Sequence, residues 1–377
     1  MIHLETCTSY DPSEVRRAAG RAFGAVGGAA ALIPPGARVL VKPNLLAARP
    51  PETAVTTHPA VVDAVLRIVL GRTRDVTVGD SPGLGDAHAV AEASGIAEVC
   101  RNLGVPVVDF RDSVQVKTAP GALFPALEVA REALDADVII NVPKLKTHGM
   151  IRLTMGVKNM FGCVVKARKP QWHFRAGGDA GMFAAMLVDV YERLRPAVTI
   201  MDAVVGMEGQ GPGRGEPKPV GLLVAGVDAH QLDWTCARLV GFDPLSVPTL
   251  GVACGRDLLR PGEICSSVPP EPFFTAFAQP RPRDLTFSVP AVLRSLLHRH
   301  ITTRPVVLGE RCEGCVECLR ICPAEAITVR GKLPRIDHAR CIRCYCCHEV
   351  CPHAALDLRA GLLLRVYDKF WRRRPCG

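Results

Sequence analysis

Two stretches in the last third of the chain, CEGCVECLRICP (residues 312–323) and CIRCYCCHEVCP (residues 341–352), repeat one pattern, C-x2-C-x2-C-x3-C-P. Cysteine thiolates are soft ligands, suited to iron–sulfur clusters, copper(I) and zinc. Spacings of two residues allow one loop to present three sulfur atoms to the same metal cluster, while the cysteine before proline points away. The doubled pattern therefore predicts a small module that is built around metal.

The spacing is typical of the loops that hold two [4Fe–4S] clusters in bacterial-type ferredoxins, where the fourth cysteine of each run binds the cluster of the other run. Zinc sites use paired C-x2-4-C units in fours, so the third cysteine and the trailing Cys-Pro of each run fit zinc or disulfides poorly. The predicted ligands of the first cluster are Cys312, Cys315, Cys318 and Cys351, and those of the second are Cys341, Cys344, Cys347 and Cys322. Such clusters transfer single electrons at low potential.

The cysteine content and the N-terminal sequence indicate the cellular compartment of the protein. The chain has 377 residues and sixteen cysteines, and it does not begin with a basic segment followed by an apolar core. We therefore expect no signal peptide, and we expect metal ligands and free thiols in a reducing, cytoplasmic environment. The longest nearly apolar run, residues 24–35, is too short to span a bilayer.

The net charge of +9 lies almost entirely in the cluster-bearing third. Residues 1–255 contain 26 Lys and Arg against 25 Asp and Glu, whereas residues 256–377 contain 20 against 12. Eight thiolates around two oxidised clusters would add about −4 there. Because this halves the positive excess, the sequence predicts no nucleic-acid partner.

Upstream of the cysteines, short apolar runs rich in β-branched residues alternate with helical segments, which is typical of an α/β fold with a mainly parallel sheet and helices on both faces. The predicted strands are residues 38–41, 75–78, 105–110, 137–142, 197–201 and 220–225. The predicted helices are residues 11–26, 59–70, 86–103, 124–134, 182–194 and 231–239.

The domain organisation follows from these patterns. We expect an α/β domain at residues 1–255, a proline-rich linker at 256–305, a small α+β ferredoxin-like domain at 306–358 and a basic amphipathic tail at 359–377. The tail region, LDLRAGLLLRVYDKFW at 356–371 followed by three arginines, fits either a helix packed on the protein or a helix on an anionic membrane surface. We favour packing, because a buried aromatic face is the ordinary use of such a pattern.

Candidate site residues follow the predicted strands, because ligands of open parallel sheets bind beyond the carboxyl ends of the strands. Two lysines and a histidine within one short segment can bind an acidic substrate and donate a proton, although a solvated basic turn is the plain alternative. The candidate catalytic residues are His148, Lys144 and Lys146. The candidate substrate-binding residues are Lys42, Asn44, Asp80, Ser81, Lys158, Asn159, His173, Asp202 and Glu208. The glycine-rich segment 206–215, which we expect to be a loop, is neither a P-loop nor a dinucleotide fingerprint.

Six blocks resemble the signature blocks of the domain-of-unknown-function 362 family: VLVKPNLL (39–46), THP (57–59), GDSPG (79–83), IINVPKLKTHG (139–149), GVKNMFG (156–162) and GMEGQGP (206–212). Many members of that family carry a C-terminal ferredoxin module with the same CYCCxxxCP sequence that is seen at 344–352. The resemblance covers residues 36–255 and 306–356. It implies that the motif-bearing segments form one site in an α/β domain next to an electron-delivering module, and it assigns no roles.

Three functions fit these features. The first is an iron–sulfur reductase that takes electrons from an external donor such as ferredoxin or flavodoxin and passes them to a small anionic substrate, with His148 as the acid. The second is an electron-carrier subunit whose large domain binds no substrate. The third is an assembly factor for a metal cofactor.

The cluster assignment makes the first testable prediction. Anaerobically prepared protein should contain about eight iron and eight acid-labile sulfide per chain, since each of two clusters needs four of each. The Cys322→Ser variant should lose the cluster bound by Cys341, Cys344 and Cys347 and keep the other. Metal analysis and electron paramagnetic resonance of the reduced protein measure both, and zinc, or loss of only the other cluster, contradicts the assignment.

Overall fold

The computed structural model describes residues 1–83, 85–165, 168–176, 179–280, 302–363 and 365. The chain divides into two compact units. The α/β unit comprises Met1–Lys169 and Ala180–Gln279, and the C-terminal unit comprises Pro170–Asp179 and Pro280–Gly377.

The α/β unit is built on one mixed sheet. Its strands are β1 (His3–Thr6), β2 (Val39–Pro43), β3 (Val76–Asp80), β4 (Val107–Asp109), β7 (Val138–Val142), β8 (Lys144–His148), β9 (Arg152–Thr154), β10 (Val198–Glu208) and β11 (Glu216–Gly226). The spatial order is β1-β11-β10-β7-β2-β3-β4, and β8 with its neighbour β9 continues beside the second half of β10. Strands β2, β3, β4, β7 and β10 are parallel to one another, β11 is antiparallel to β10, and β1 is antiparallel to β11. A separate hairpin pairs β5 (Ser113–Lys117) with β6 (Ala126–Ala130).

The helices of this unit cover both faces of the sheet. They are α1 (Pro12–Ala25), α2 (Gly28–Leu32), α3 (Pro59–Leu70), α4 (Ala87–Ala93), α5 (Ile96–Leu103), α6 (Arg131–Asp135), α7 (Gly156–Asn159), α9 (Ala180–Leu194), α10 (Ala229–Leu239) and α11 (Pro248–Gly255), and α8 (Lys169–Ala176) begins at its boundary. Helices α1, α3, α4 and α5 pack on alternate residues of the parallel strands such as Val41 and Ile140. Helices α10 and α11 pack on the other face against Met201 and Val224. The predicted α/β fold class is confirmed.

Three local predictions differ from the structure. Residues 143–149 follow the predicted strand 137–142, where a loop is expected, but β8 occupies most of them because it pairs with β10 and β9. Residues 124–134 were expected to be a helix, but β6 and the short α6 occupy them, since pairing with β5 overrides their helix propensity. Strand β10 continues to Glu208, so Asp202 and Gly206 lie inside a strand, and the glycine-rich loop is confined to the turn before β11.

The first part of the segment that we predicted to be a linker packs on the α/β unit. Its backbone N–H groups at Thr275 and Phe277 donate to the carbonyls of Leu239 and Val240, at 2.8 and 3.0 Å. Phe277 is buried in the core that α10 and α11 cover. Residues 256–279 therefore extend the α/β unit, whereas residues 281–301 of the predicted linker lie outside the described residues.

The described part of the C-terminal unit that carries the cysteines consists of two antiparallel strand pairs and two short helices. Strand β12 (Thr303–Val307) pairs with β15 (Leu356–Ala360), and β13 (Ile327–Arg330) pairs with β14 (Leu333–Ile336). Helix α12 (Glu317–Arg320) lies in the first cysteine run, and helix α13 (Cys346–Val350) lies in the second. Cys318 and Cys347 belong to the small core between these elements.

The backbone of this module repeats with the 29-residue spacing that separates Cys312 from Cys341. Positive φ angles recur at that spacing in three pairs of residues: Gly314 and Arg343, Val316 and Tyr345, Glu325 and Ala354. A valine at φ 57° is strained, because its branched side chain is disfavoured in the left-handed region. The two loops therefore share one conformation that local sequence does not favour, as expected if each wraps around the same kind of ligand.

No helix in the described parts of the chain is long and apolar enough to cross a membrane. The tail prediction concerns mostly residues 364 and 366–377, which lie outside the described residues.

Candidate functional site

A layer of polar side chains is buried at the carboxyl ends of the central strands. Six of its members are less than 5% exposed to solvent: Lys42, Asp80, Asn141, Lys144, Lys146 and Asp202. Charged side chains are rarely buried to this extent, and their burial is costly unless each one has a partner. The partners therefore define what the layer can do.

Lys42 and Asp80, at the ends of β2 and β3, form an ion pair with Nζ 3.0 Å from Oδ1. The Asp80 carboxylate also accepts from the backbone N–H groups of Leu45 and Ser81, both at 2.8 Å. The backbone of Gly162 lies so close that a Cβ atom there would collide with both Asp80 Oδ1 and Lys42 Nζ. Only glycine at position 162 fits against this pair.

Lys144 forms a second buried pair, with Asp202, at 2.9 Å. The Tyr10 hydroxyl donates to Asp202 Oδ1 at 2.9 Å and accepts from Lys144 Nζ at 2.6 Å. His58 stacks on the Tyr10 ring with 3.5 Å between centroids, and its backbone N–H donates to Asp202 Oδ2 at 2.9 Å. Burial lowers the pKa of Lys144, against the opposing effect of Asp202, and it lowers the pKa of His58 to about 4.

Lys146 begins a chain of side-chain hydrogen bonds that crosses the layer. Its Nζ donates to Asn44 Oδ1 at 2.9 Å and to the carbonyl of Val55 at 2.6 Å. Asn44 donates to Asn159 at 3.1 Å, and Asn159 donates to Asn141 at 2.8 Å. Because each amide accepts from one neighbour and donates to the next, the chain polarises in one direction and holds β2, β7, β8 and α7 in register.

A second group of lysines surrounds the Phe161 ring. Lys158 Nζ lies 4.8 Å and Lys169 Nζ lies 5.8 Å from the ring centroid. The Lys169 ammonium also donates to the carbonyl of Ser81, next to Asp80. Helix α7, which carries Lys158, is held by Asp233, whose carboxylate accepts from the N–H groups of Gly156 and Val157 at 2.7 and 3.0 Å.

The structure thus brings most of the predicted site residues of the α/β unit into one connected layer: Lys42, Asn44, Asp80, Ser81, Lys144, Lys146, Lys158, Asn159 and Asp202. The alternative that Lys144 and Lys146 form a solvated basic turn is wrong, since both are at most 1% exposed. Their ammonium groups are engaged by groups of the protein itself, which makes them structural supports of the layer.

Three predicted residues lie elsewhere. His148 is at the far end of β8, where Nδ1 accepts from the N–H groups of Met150 and Ile151 at 3.0 and 3.4 Å. Glu208, at the end of β10, accepts from the N–H of Ala278 at 2.7 Å and lies 3.7 Å from Lys218 Nζ. His173 is a buried residue of α8 and groups with the C-terminal unit.

Sequence reasoning missed four residues that complete the layer: Tyr10, His58, Asn141 and Lys169. A signal existed for two of them. His58 stands in the THP block, and Asn141 is a polar residue inside an otherwise apolar strand. Tyr10 and Lys169 carry no local signal, because their contacts depend on segments that are distant in the chain.

Each predicted set of four cysteines lines one cavity of the C-terminal unit. The first cavity is lined by Cys312, Cys315, Cys318 and Cys351. The second is lined by Cys322, Cys341, Cys344 and Cys347. Apolar side chains such as Val307 and Ile336 complete the walls.

The donor groups around these cavities suit iron–sulfur clusters. Each cavity offers four soft sulfur ligands, as a [4Fe–4S] cluster requires. The backbone N–H of Ala326 donates to Cys322 Sγ, and that of Ala355 donates to Cys351 Sγ, both at 3.3 Å. Hydrogen bonds to the cysteine sulfur atoms are among the features that set cluster potentials. The residues present therefore fit a cluster in each cavity.

The buried pair of Lys144 and Asp202 makes a testable prediction about stability. Lys144→Met should lower the free energy of unfolding by about 3–5 kcal/mol, because it leaves a buried carboxylate without its cation. Adding Asp202→Asn to that variant should recover part of the loss.

Urea denaturation followed by circular dichroism measures both changes. The exposed pair of Arg38 and Asp137 is the control, and Arg38→Met should destabilise the protein much less, because water already solvates both charges. If Lys144→Met and Arg38→Met lower the free energy of unfolding equally, the buried pair does not stabilise the fold more than an exposed pair does.

Comparison with known proteins agrees with this architecture. Residues 39–238 match the model of the Domain of unknown function (DUF362), and residues 304–352 match that of the 4Fe-4S dicluster domain. The thylakoid-associated protein sll1697 of Synechocystis sp. is 39% identical over 249 residues, which are 66% of this chain and 77% of that protein.

A solved structure, the lactate racemase apoprotein from Thermoanaerobacterium thermosaccharolyticum, matches with a TM-score of 0.44 and 11% identity. The match covers 64% of this chain and 57% of that one, so this chain spans less than two thirds of that protein. The family resemblance of the signature blocks is confirmed by the model match: the chain belongs to the domain-of-unknown-function 362 family and carries a C-terminal 4Fe-4S dicluster domain.

Proposed function

We propose that the protein is an iron–sulfur oxidoreductase that passes electrons to a small acidic or phosphorylated compound bound in the α/β unit. The observation that carries the proposal is the pair of cavities in the C-terminal unit, each lined by four cysteines. Two four-cysteine sites in one module serve electron transfer in the dicluster family that this module matches.

The clusters, when bound, supply electrons one at a time. The cysteines of the C-terminal unit hold them, and the apolar walls around the sulfur atoms limit access of water. An external donor of low potential, such as a ferredoxin or flavodoxin, is needed to reduce them. We propose that this electron transfer from the donor to the clusters takes place in the cytoplasm, although the similar Synechocystis protein is described as thylakoid-associated.

The α/β unit supplies binding and protons in this proposal. Lysine side chains at the ends of β2 and around Phe161 favour an anionic compound. His148 is the proposed proton donor. Because its Nδ1 accepts from two backbone N–H groups, the ring proton of the neutral imidazole is on Nε2, from which it can be donated.

A second candidate is an electron-carrier subunit whose α/β unit binds no substrate. One observation favours it: the lysines of β8, which the sequence suggested as substrate ligands, are engaged inside the protein by Asp202, Asn44 and the carbonyl of Val55. The partners inside the protein account for the burial of these lysines, so no ligand is needed to explain their presence in β8.

A reoxidation experiment separates the two candidates. Anaerobic protein with both clusters is reduced with dithionite, and a panel of small carboxylates and phosphate esters is added. A substrate should restore the visible absorbance of the oxidised clusters in the native protein. His148→Gln should slow this step by about 10²–10⁴-fold, as expected for loss of a general acid, with both clusters still reducible.

The control is Lys117→Gln, which changes an exposed residue of β5 and should reoxidise at the native rate. If no compound of either class reoxidises the native protein while a ferredoxin does, the carrier function replaces the reductase. If a substrate is found but His148→Gln reacts at the native rate, the proton comes from another group.

A further inference from the structure

The two cysteine sets of the C-terminal unit differ in their exposure to solvent, although the backbone around them repeats. Cys315 of the first set is exposed, whereas Cys344, which stands 29 residues later in the second set, is 8% exposed. The equivalent pair of Cys318 and Cys347 is buried in both sets, at 8% and 7% exposure. The difference in exposure is therefore located at one ligand of the first set.

The walls of the two cavities differ in the same direction. The wall of the first cavity includes three exposed polar residues, Glu313, Lys332 and His353. The positions equivalent to Glu313 and His353 in the wall of the second cavity hold Ile342 and Ala324. Among the residues that the structure describes, the second wall contains no Asp, Glu, Lys, Arg or His. The second cavity is thus the more apolar of the two.

Hydrogen bonds to the cysteine sulfur atoms do not distinguish the two sets. The backbone N–H of Ala355 donates to Cys351 Sγ of the first set at 3.3 Å, and that of Ala326 donates to Cys322 Sγ of the second set at the same distance. Such bonds favour the reduced state of a cluster. Because they are matched, they do not produce a difference between the sets.

Nearby charged side chains are also matched in number and sign. Glu313 and Lys332 line the first cavity, and Arg343 and Glu349 lie near ligands of the second set. Each set therefore has one acidic and one basic residue beside it. What remains different is the contact with water at Cys315 and the apolar wall of the second cavity.

We infer that the two cysteine sets hold clusters of unequal reduction potential, of which the exposed set with Cys315 is reduced first and the apolar set with Cys344 last. Reduction adds a negative charge to a cluster that its four thiolates already make anionic. Water at Cys315 stabilises the added charge, whereas the apolar wall around Cys344 does not. The inference rests on the clusters of the proposed function but requires no substrate.

Unequal potentials give the two sets different roles. When a one-electron donor such as a reduced ferredoxin is oxidised, the electron that it loses settles on the iron bound by the exposed set. The apolar set accepts an electron only from a donor of lower potential. The exposed set therefore stores the first electron, and the apolar set holds the more strongly reducing one.

A redox titration of the anaerobic, cluster-loaded protein, followed by electron paramagnetic resonance, tests the inference. Two steps are expected even for equal clusters, because the first added charge repels the second. The decisive result is which step each substitution shifts. Lys332→Leu should lower only the higher-potential step, by up to about tenfold in the reduction equilibrium, which is about 59 mV for one electron. Ile342→Gln should raise only the lower-potential step, because it makes the apolar wall polar.

Two further variants complete the experiment. Arg359→Leu removes the same charge as Lys332→Leu from an exposed position of β15 that lines neither cavity, and both of its steps should stay at the native potentials. Cys322→Ser, which should keep only the first cluster, should titrate in one step at or above the higher native potential. If Ile342→Gln does not take up its clusters, Lys332→Leu and Cys322→Ser still decide.

The inference is overturned if Lys332→Leu and Ile342→Gln each shift both steps, if Lys332→Leu lowers the later step, or if Arg359→Leu has as large an effect as Lys332→Leu. Iron and sulfide analysis of the native samples separates this inference from the proposed function. Native protein that takes up no clusters rejects the proposed function. Two clusters that respond alike to the substitutions reject only the inequality of the two sets.

Discussion

The cost of burying charge is the constraint on which the α/β unit depends. Three lysines, Lys42, Lys144 and Lys146, lie on the central strands at 1% exposure or less, where an isolated ammonium group would be strongly destabilised. The protein meets this cost with fixed partners: Asp80, Asp202, and the pair of Asn44 and the carbonyl of Val55. The residues just before α1 and α3 bring Tyr10 and His58 to Asp202, where the Tyr10 hydroxyl and the backbone N–H of His58 donate to its carboxylate.

The C-terminal unit depends on a different constraint. A module of this size buries little apolar surface, and its small core includes cysteine sulfur atoms at Cys318 and Cys347. Its loops also adopt positive φ angles at Val316 and Tyr345, which cost free energy. Metal ligation is the ordinary source of stability for such small domains. The bonds between the cysteine sulfur atoms and the iron would therefore serve both electron transfer and the folding of this unit.

The sequence predicted best where the relevant spacing is local. The two cysteine sets could be assigned from positions alone, and the two cavities are lined by those same sets. It predicted β8 poorly, because polar residues were taken as a sign of exposure. The partners that bury Lys144, namely Tyr10 and Asp202, are 134 and 58 positions away. The predicted helix at residues 124–134 was wrong for a related reason, because pairing with β5 determines the conformation of most of these residues.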